Sequence, residues 1–329
     1  MTTVHNTHKE KAVPKRIAVV GVGTCGSRAV EQMAQRPSRA IDFVSIDTDP
    51  DELVRCTASR PMQISMTGLR AARPQHARDS ADRAASQIRA ALQGAELVLI
   101  VAGMTDATAV GAAPVVARLA REMGMPVAAV ATLPGQWEGT PKRLERAEAG
   151  VVDLRAEIAV VLVLPCETLA AKLDNEDASM AEMDAYTDAM VVRTVSCIVE
   201  ATEGRADVGV DFENLGRVLS VPGTTAVGTA DLLDSEIPQA VDRLLACPLL
   251  GGSDLSVASE VLVALRGPAR LLHCAGRVLH VIAHATPNTA AVMGTTVADE
   301  SMGDQLQLTL IATGIVGAPH EAGPSRTAG

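Results

Sequence analysis

Ala102-Gly103-Met104-Thr105-Asp106-Ala107-Thr108-Ala109-Val110-Gly111-Ala112-Ala113-Pro114-Val115-Val116 is the stretch on which the fold turns. It follows the apolar run Leu97–Ala102 and leads into the helical pattern of Ala112–Met123. A short uninterrupted aliphatic run reads as a strand buried on both faces, and the small and polar residues after it read as a loop joining strand to helix. The same unit recurs upstream. Arg16–Val20 reads as a strand, Gly21–Ser27 as a tight turn and Arg28–Gln35 as a helix; Ile41–Ile46 is a second strand, ending at Asp47, Thr48, Asp49 and Pro50. Arg78–Gln93 reads as a helix, and Val127–Thr132 and Val160–Leu164 as further strands. Strands alternating with helices imply right-handed crossovers and an α/β domain with a parallel sheet covered on both faces.

The pattern changes near Asp177–Thr202. Met183, Tyr186, Met190, Val191, Val195 and Ile198 recur at helical spacing, which predicts one long helix between two halves. After Pro222 the chain reads as turn-rich, with a helix near Ile237–Leu245 and strands at Val261–Leu265, Ala290–Thr296 and Gln305–Ala312. The expected layout is a parallel-sheet domain over 15–176, a central helix over 177–202 and a smaller α+β domain over 203–316. The ends, 1–14 and 317–329, are expected to be disordered.

Composition excludes several function classes. Lys and Arg number 29 against 39 Asp and Glu, a net charge of −10, which argues against binding nucleic acid or anionic membranes. Phe43, Phe212, Trp137 and Tyr186 are the whole aromatic complement, so the stacking platforms of a single-strand binder are missing. The apolar runs Leu97–Gly103 and Ile158–Leu164 fall far short of the about 20 residues that span a bilayer, and Met1–Lys15 is too polar for a signal peptide. A cytoplasmic protein without a membrane segment is expected. The six cysteines form no CxxC and read as small buried hydrophobes in a reducing compartment. His273, Cys274, His280 and His284 lie close in sequence, but no carboxylate or second cysteine completes a ligand set, so no metal is expected there.

Gly21, Gly23 and Gly26 form GxGxxG between a strand and a helix. Glycines there let the backbone approach phosphate at a helix N-terminus, and Asp47 lies where a dinucleotide fold keeps its ribose-binding acid. Taken alone, this stretch is compatible with a nicotinamide dinucleotide. It is equally compatible with a glycine turn that serves only strand–helix packing.

Longer segments carry a more specific resemblance. The stretch 102–116 resembles AGMGGGTGTGAAPVV, the signature of the FtsZ family in the tubulin superfamily. Val20-Gly21-Val22-Gly23 and Ala29-Val30-Glu31-Gln32-Met33 resemble the start of that family, and Asp47-Thr48-Asp49 its NTD. Trp137-Glu138-Gly139, Lys142-Arg143 and Ala147-Glu148-Ala149-Gly150 resemble its FEGKKR…AEAG, Val210-Asp211-Phe212 its LDF, and Leu308–Gly314 the end of its second domain. These matches keep one order and cover roughly residues 15–316. The resemblance implies a GTP-binding domain, a long central helix, a second domain and head-to-tail polymerisation in which the next subunit supplies acids for hydrolysis. It further implies nucleotide contacts at Gly21, Gly23, Gly26, Thr108, Gly111, Glu138 and Arg143. Tyr186 and Asp188 would stack on guanine and accept its N–H groups; the residues alone read equally as a buried helix tyrosine, and Glu138 with Arg143 as a surface ion pair. Magnesium would be present only if GTP binds.

The departures fall on the chemistry. Thr24, Cys25 and Ser27 interrupt the first glycine run, and Arg28 replaces the family's Asn. Thr105-Asp106-Ala107 replaces GGG, and Thr108-Ala109-Val110-Gly111 replaces TGTG; each added Cβ restricts the backbone and blocks close approach to phosphate. Asp106 places a negative charge where phosphate would lie, and two like charges about 4 Å apart repel by about 4 kcal/mol at an effective dielectric of about 20. Arg28 is expected to offset this by pairing with phosphate or with Asp106 itself. In the loop offered to the neighbour, Asp211 matches an acid while Asn214 replaces one and cannot act as a base; Glu213 lies one residue out of place. The tail to Gly329 carries no counterpart of the family's partner-recruiting apolar peptide. The leading expectation is an FtsZ-like self-assembling scaffold with little or no GTP binding and hydrolysis. The alternatives are an active GTPase of cell division and a non-catalytic regulator that binds an authentic FtsZ or another partner.

Overall fold

The structure, a computed structural model, describes residues 16–35, 40–64, 71–138, 140–171, 178–201, 210–251, 253, 255–286 and 290–315. The expected disordered ends lie outside these residues, as do the expected domain boundaries at 14–15, 176–177, 202–203 and 316–317. The first sheet has six parallel strands in the order β3-β2-β1-β4-β5-β6. They are β1 Ile17–Val22, β2 Ile41–Asp47, β3 Arg60–Gln63, β4 Leu97–Gly103, β5 Val127–Leu133 and β6 Val160–Pro165. Around them run α1 Gly23–Ala34, α2 Pro50–Leu53, α3 Pro74–Arg83, α4 Ala85–Leu92, α5 Ala107–Glu122, α6 Pro141–Glu157 and α7 Cys166–Ala170. The long helix is α8, Met180–Glu200, and α9 is Phe212–Val218. The second sheet has the order β7-β10-β8-β9, built from β7 Thr224–Leu233, β8 Glu260–Gly267, β9 Ala291–Ala298 and β10 Gln305–Ile315, with α10 Ala240–Leu245 and α11 Ala275–Ala285. Strand β10 is antiparallel to β7 and β8, whereas β8 and β9 are parallel.

Period-two alternation divides the first sheet between two cores. Ala18, Val20, Val98 and Ile100 point into the layer of α3, α4, α5 and α6. Ile17, Val19, Leu97, Leu99 and Val101 point the other way, into a core continuous with α8 and the second sheet. Met190, Val191, Val195 and Ile198 of α8 are buried in that core, so this helix joins the two halves as a spine. It opens with a reciprocal cap: Ser179 accepts the Glu182 N–H while Glu182 accepts the Ser179 N–H.

Three local readings need correction. The residues 21–27 are not a separate turn: β1 runs through Val22 and α1 begins at Gly23. Arg78–Gln93 is two helices broken at Ala84, whose ψ of 8° leaves the helical region. The turn-rich reading after Pro222 overlooked β7, a ten-residue strand. Among the described residues no helix is long and apolar enough to cross a membrane, and no group of three or more His, Cys, Asp or Glu converges as metal ligands do.

Candidate functional site

The tips of β1, β2 and β4 and the first turns of α1 and α5 meet at the carboxyl edge of the first sheet, where open α/β sheets bind ligands. Asp106 lies where they meet. This residue is 7% exposed, and its φ of −114° and ψ of 163° make it the N-cap of α5. One carboxylate oxygen, Oδ1, accepts the Ala109 N–H at 2.7 Å; the other, Oδ2, accepts the Thr24 N–H of α1 at 3.0 Å. The residue before α1, Val22, has no side chain able to cap it. One carboxylate therefore satisfies orphan donors at two helix N-termini.

The glycines divide by role. Gly23 has φ +77°, a conformation that favours glycine, and a Cβ there would stand 2.6 Å from Asp106 Oδ2. Gly21 and Gly26 serve packing: a Cβ on Gly21 would meet Gly26 O at 2.4 Å, and one on Gly26 would meet Val101 O at 2.2 Å. Gly111 lets α5 approach α3, because a Cβ there would stand 2.0 Å from Pro74 O.

Arg28 does not pair with Asp106. It grips Asp188 of α8, donating from Nη2 to Oδ1 at 2.9 Å and from Nε to Oδ2. Asp188 is 3% exposed. Burial pushes its carboxyl up, and the Arg28 hydrogen bond opposes that rise; the same bond drives the guanidinium further into its charged form. We take the pair as ionised, because the geometry is two-pronged and a buried carboxylate needs its partner. Cys25, missed as a site residue, lies against Gly103 and Asp188. Part of its surface is open, yet the thiol is packed among protein atoms, and burial pushes it up to about 12, with Asp188 adding to the rise. This thiol is inert at neutral pH.

Tyr186 and Asp188 do not converge. Two residues apart on a helix, they face different ways: Asp188 meets α1, while Tyr186 lines a cavity of about 800 Å³ between α8 and the second sheet. Arg143 is not in a surface ion pair with Glu138. Its Nε donates to Thr105 O at 3.0 Å and its Nη1 to Glu138 O at 2.5 Å, so it ties α6 to the loop before α5. The Glu138 carboxylate accepts the Gly135 N–H. Asp211 and Asn214 stand elsewhere, on α9 beside β8: Asp211 caps α9 by accepting the Asn214 N–H at 2.8 Å, and the Asn214 amide also donates to it. Glu213, beside them, is exposed.

Thr108 is buried in the first turn of α5, 3.1 Å from Asp47 Oδ1 and 2.7 Å from Thr48 Oγ1. Asp47 is 2% exposed, and Oδ1 also accepts the Thr48 and Asp49 N–H groups, whereas Oδ2 has no partner among the described residues. Burial pushes this carboxyl up against the pull of those bonds. A folded-state pKa above the unfolded one gives a stability contribution that is full below the unfolded pKa and is lost as pH rises through the folded one. Asp47→Asn keeps the Oδ1 acceptor and removes the charge. Urea unfolding should show a gain of about 1 kcal/mol near about pH 8 and none near about pH 3.

Glycine-containing strand–helix junctions at the carboxyl ends of a parallel sheet, joined by a long helix to a mixed second sheet, define a two-domain nucleotide-fold protein. The strand order alone would also suit a dinucleotide enzyme, so the comparisons decide. A family profile described as Tubulin/FtsZ family, GTPase domain, matches residues 16–174. The chain is 32% identical over 306 residues to "Cell division protein FtsZ" of Wigglesworthia glossinidia brevipalpis, covering 91% of this chain and 79% of that one. In three dimensions it is similar to the empty FtsZ dimer of M. jannaschii, with a TM-score of 0.86 and 27% identity over 93% of this chain and 90% of the other. The GTPγS-bound CetZ2 protofilament of Haloferax volcanii shares the fold at a TM-score of 0.72 and 21% identity, over 90% of this chain and 92% of that one. The chain belongs to the tubulin/FtsZ family.

Proposed function

We propose that this chain is an FtsZ-like cytoskeletal subunit of the cytoplasm that assembles head to tail with itself and needs little or no GTP to do so. The likeness over both domains to an FtsZ that forms a dimer while empty supports self-assembly. The observation that carries nucleotide independence is the Asp106 carboxylate, which already holds the Thr24 and Ala109 N–H groups. These are the donors that a phosphate would take at two helix N-termini. The other anchors are engaged as well, Asp188 by Arg28 and Arg143 by two carbonyls. The residues present therefore do not fit a bound di- or triphosphate with its magnesium, and no hydrolytic step is drawn through one.

Sedimentation of nucleotide-free protein, with electron microscopy of the pellet, tests this. Filaments should form equally well with and without GTP. Filaments only with GTP would instead make this an active GTPase, a reading that the exposed Asp211 favours. A chain that stays monomeric and enters only polymers of an authentic FtsZ would be a regulator.

A further inference from the structure

We propose that Asp106 is the resident anion of this site: its carboxylate does structurally what a nucleotide phosphate would do, and its removal would free the same N–H groups for pyrophosphate-type oxyanions. The inference rests on the reading above, in which the protein works without nucleotide.

Charge balance supports it first. Each helix N-terminus carries about half a positive charge, and α1 and α5, of 12 and 16 residues, converge on one side chain. One carboxylate matches two half charges. A pyrophosphate carries more negative charge than these termini balance, and the nearby guanidinium groups of Arg28 and Arg143 are already committed. Shape supports it second. Gly23 in its φ +77° conformation leaves room for the Asp106 oxygens, which stand 2.6 and 2.7 Å from where a Cβ would be. The room that glycine keeps for phosphate in such loops is here filled from within. Topology supports it third. Thr24 and Asp106 are 82 residues apart, so the carboxylate fastens α1 to α5 across β1 and β4. A phosphate spanning both loops would make that same connection. The nucleotide-free chain thus has a built-in reason to hold both loops in place.

The test uses Asp106→Gly and Asp106→Asn in the full chain. Glycine removes charge and caps together; asparagine keeps one acceptor without the charge. Asp106→Gly should melt below the parent and recover on addition of pyrophosphate, or of GTP. Pyrophosphate measured by titration calorimetry should bind it at least about tenfold more tightly than the parent, since a like charge is gone, with Asp106→Asn between the two. The parent's melting temperature should not move with millimolar pyrophosphate. The proposal is overturned if the parent binds pyrophosphate as well as Asp106→Gly does, or if neither variant binds it. Should Asp106→Gly not fold, Asp106→Asn decides by the same comparison. A parent that assembles only with GTP would defeat the proposed function separately, because that outcome is read from filaments and not from the variants.

Discussion

Arg28→Met is expected to lower the unfolding free energy by about 2–3 kcal/mol at neutral pH, with a deficit that grows as pH rises. Asp188 is buried at 3% exposure and Arg28 holds both of its oxygens. Breaking a buried pair by removing one partner typically costs about 3–5 kcal/mol. The lower figure applies here because the Arg28 side chain is 42% exposed and water reaches the pair. Without Arg28, burial raises the Asp188 pKa further, opposed only by the weak Cys25 contact. The sign follows: a raised folded pKa means stability is retained at low pH and lost as pH climbs through it. Urea unfolding at about pH 5 and about pH 8 should show the smaller loss at the lower pH. Asp188→Asn in the Arg28→Met background should restore much of the stability, because no buried charge remains. Equal losses at both pH values would mean that Asp188 is not the group stranded.

The same pair shows where sequence reading stops. Strand runs such as Leu97–Gly103 and Val127–Leu133 were legible because aliphatic runs bounded by turns have few other structures. The long helix was legible from its spacing, and the tubulin/FtsZ fold from ordered motifs. Arg28 and Asp188 stand 160 residues apart, and no local pattern says that the arginine turns to α8 and away from Asp106. The capping role of Asp106 was missed for a different reason. With the helix started at Ala112, the aspartate looked like a charge in a loop. With the helix starting at Ala107, the same residue is a common N-cap type in its proper place. The signal was local and available, but the weak helix formers Thr108, Val110 and Gly111 hid it. Strand β7 was missed because Thr224–Leu233 includes Gly228 and follows Pro222 and Gly223, which read as punctuation.

Of the three glycines in GxGxxG, Gly26 should be the least replaceable and the least connected to any ligand. Gly26→Ala places a Cβ 2.2 Å from the backbone oxygen of Val101, in the middle of β4, and neither α1 nor the sheet can yield there by turning a side chain. Overpacking against side chains costs about 1–3 kcal/mol, and a backbone obstacle in a central strand puts this variant at about 3 kcal/mol or more. Gly23→Ala differs in kind. It suffers from its φ of +77° and from the Asp106 oxygens, and only the second is a side chain that can be removed. The two glycines should therefore separate in double variants with Asp106→Gly. Gly23→Ala should couple favourably with it, by about 1 kcal/mol, because the two sites touch. Gly26→Ala should be additive, since its obstacle is the main chain. Urea unfolding of the parent, the three single variants and the two double variants gives both coupling energies. A favourable coupling at Gly26 as large as that at Gly23 would tie the third glycine to the anion position; additivity there assigns it to strand–helix packing, a role that needs no ligand.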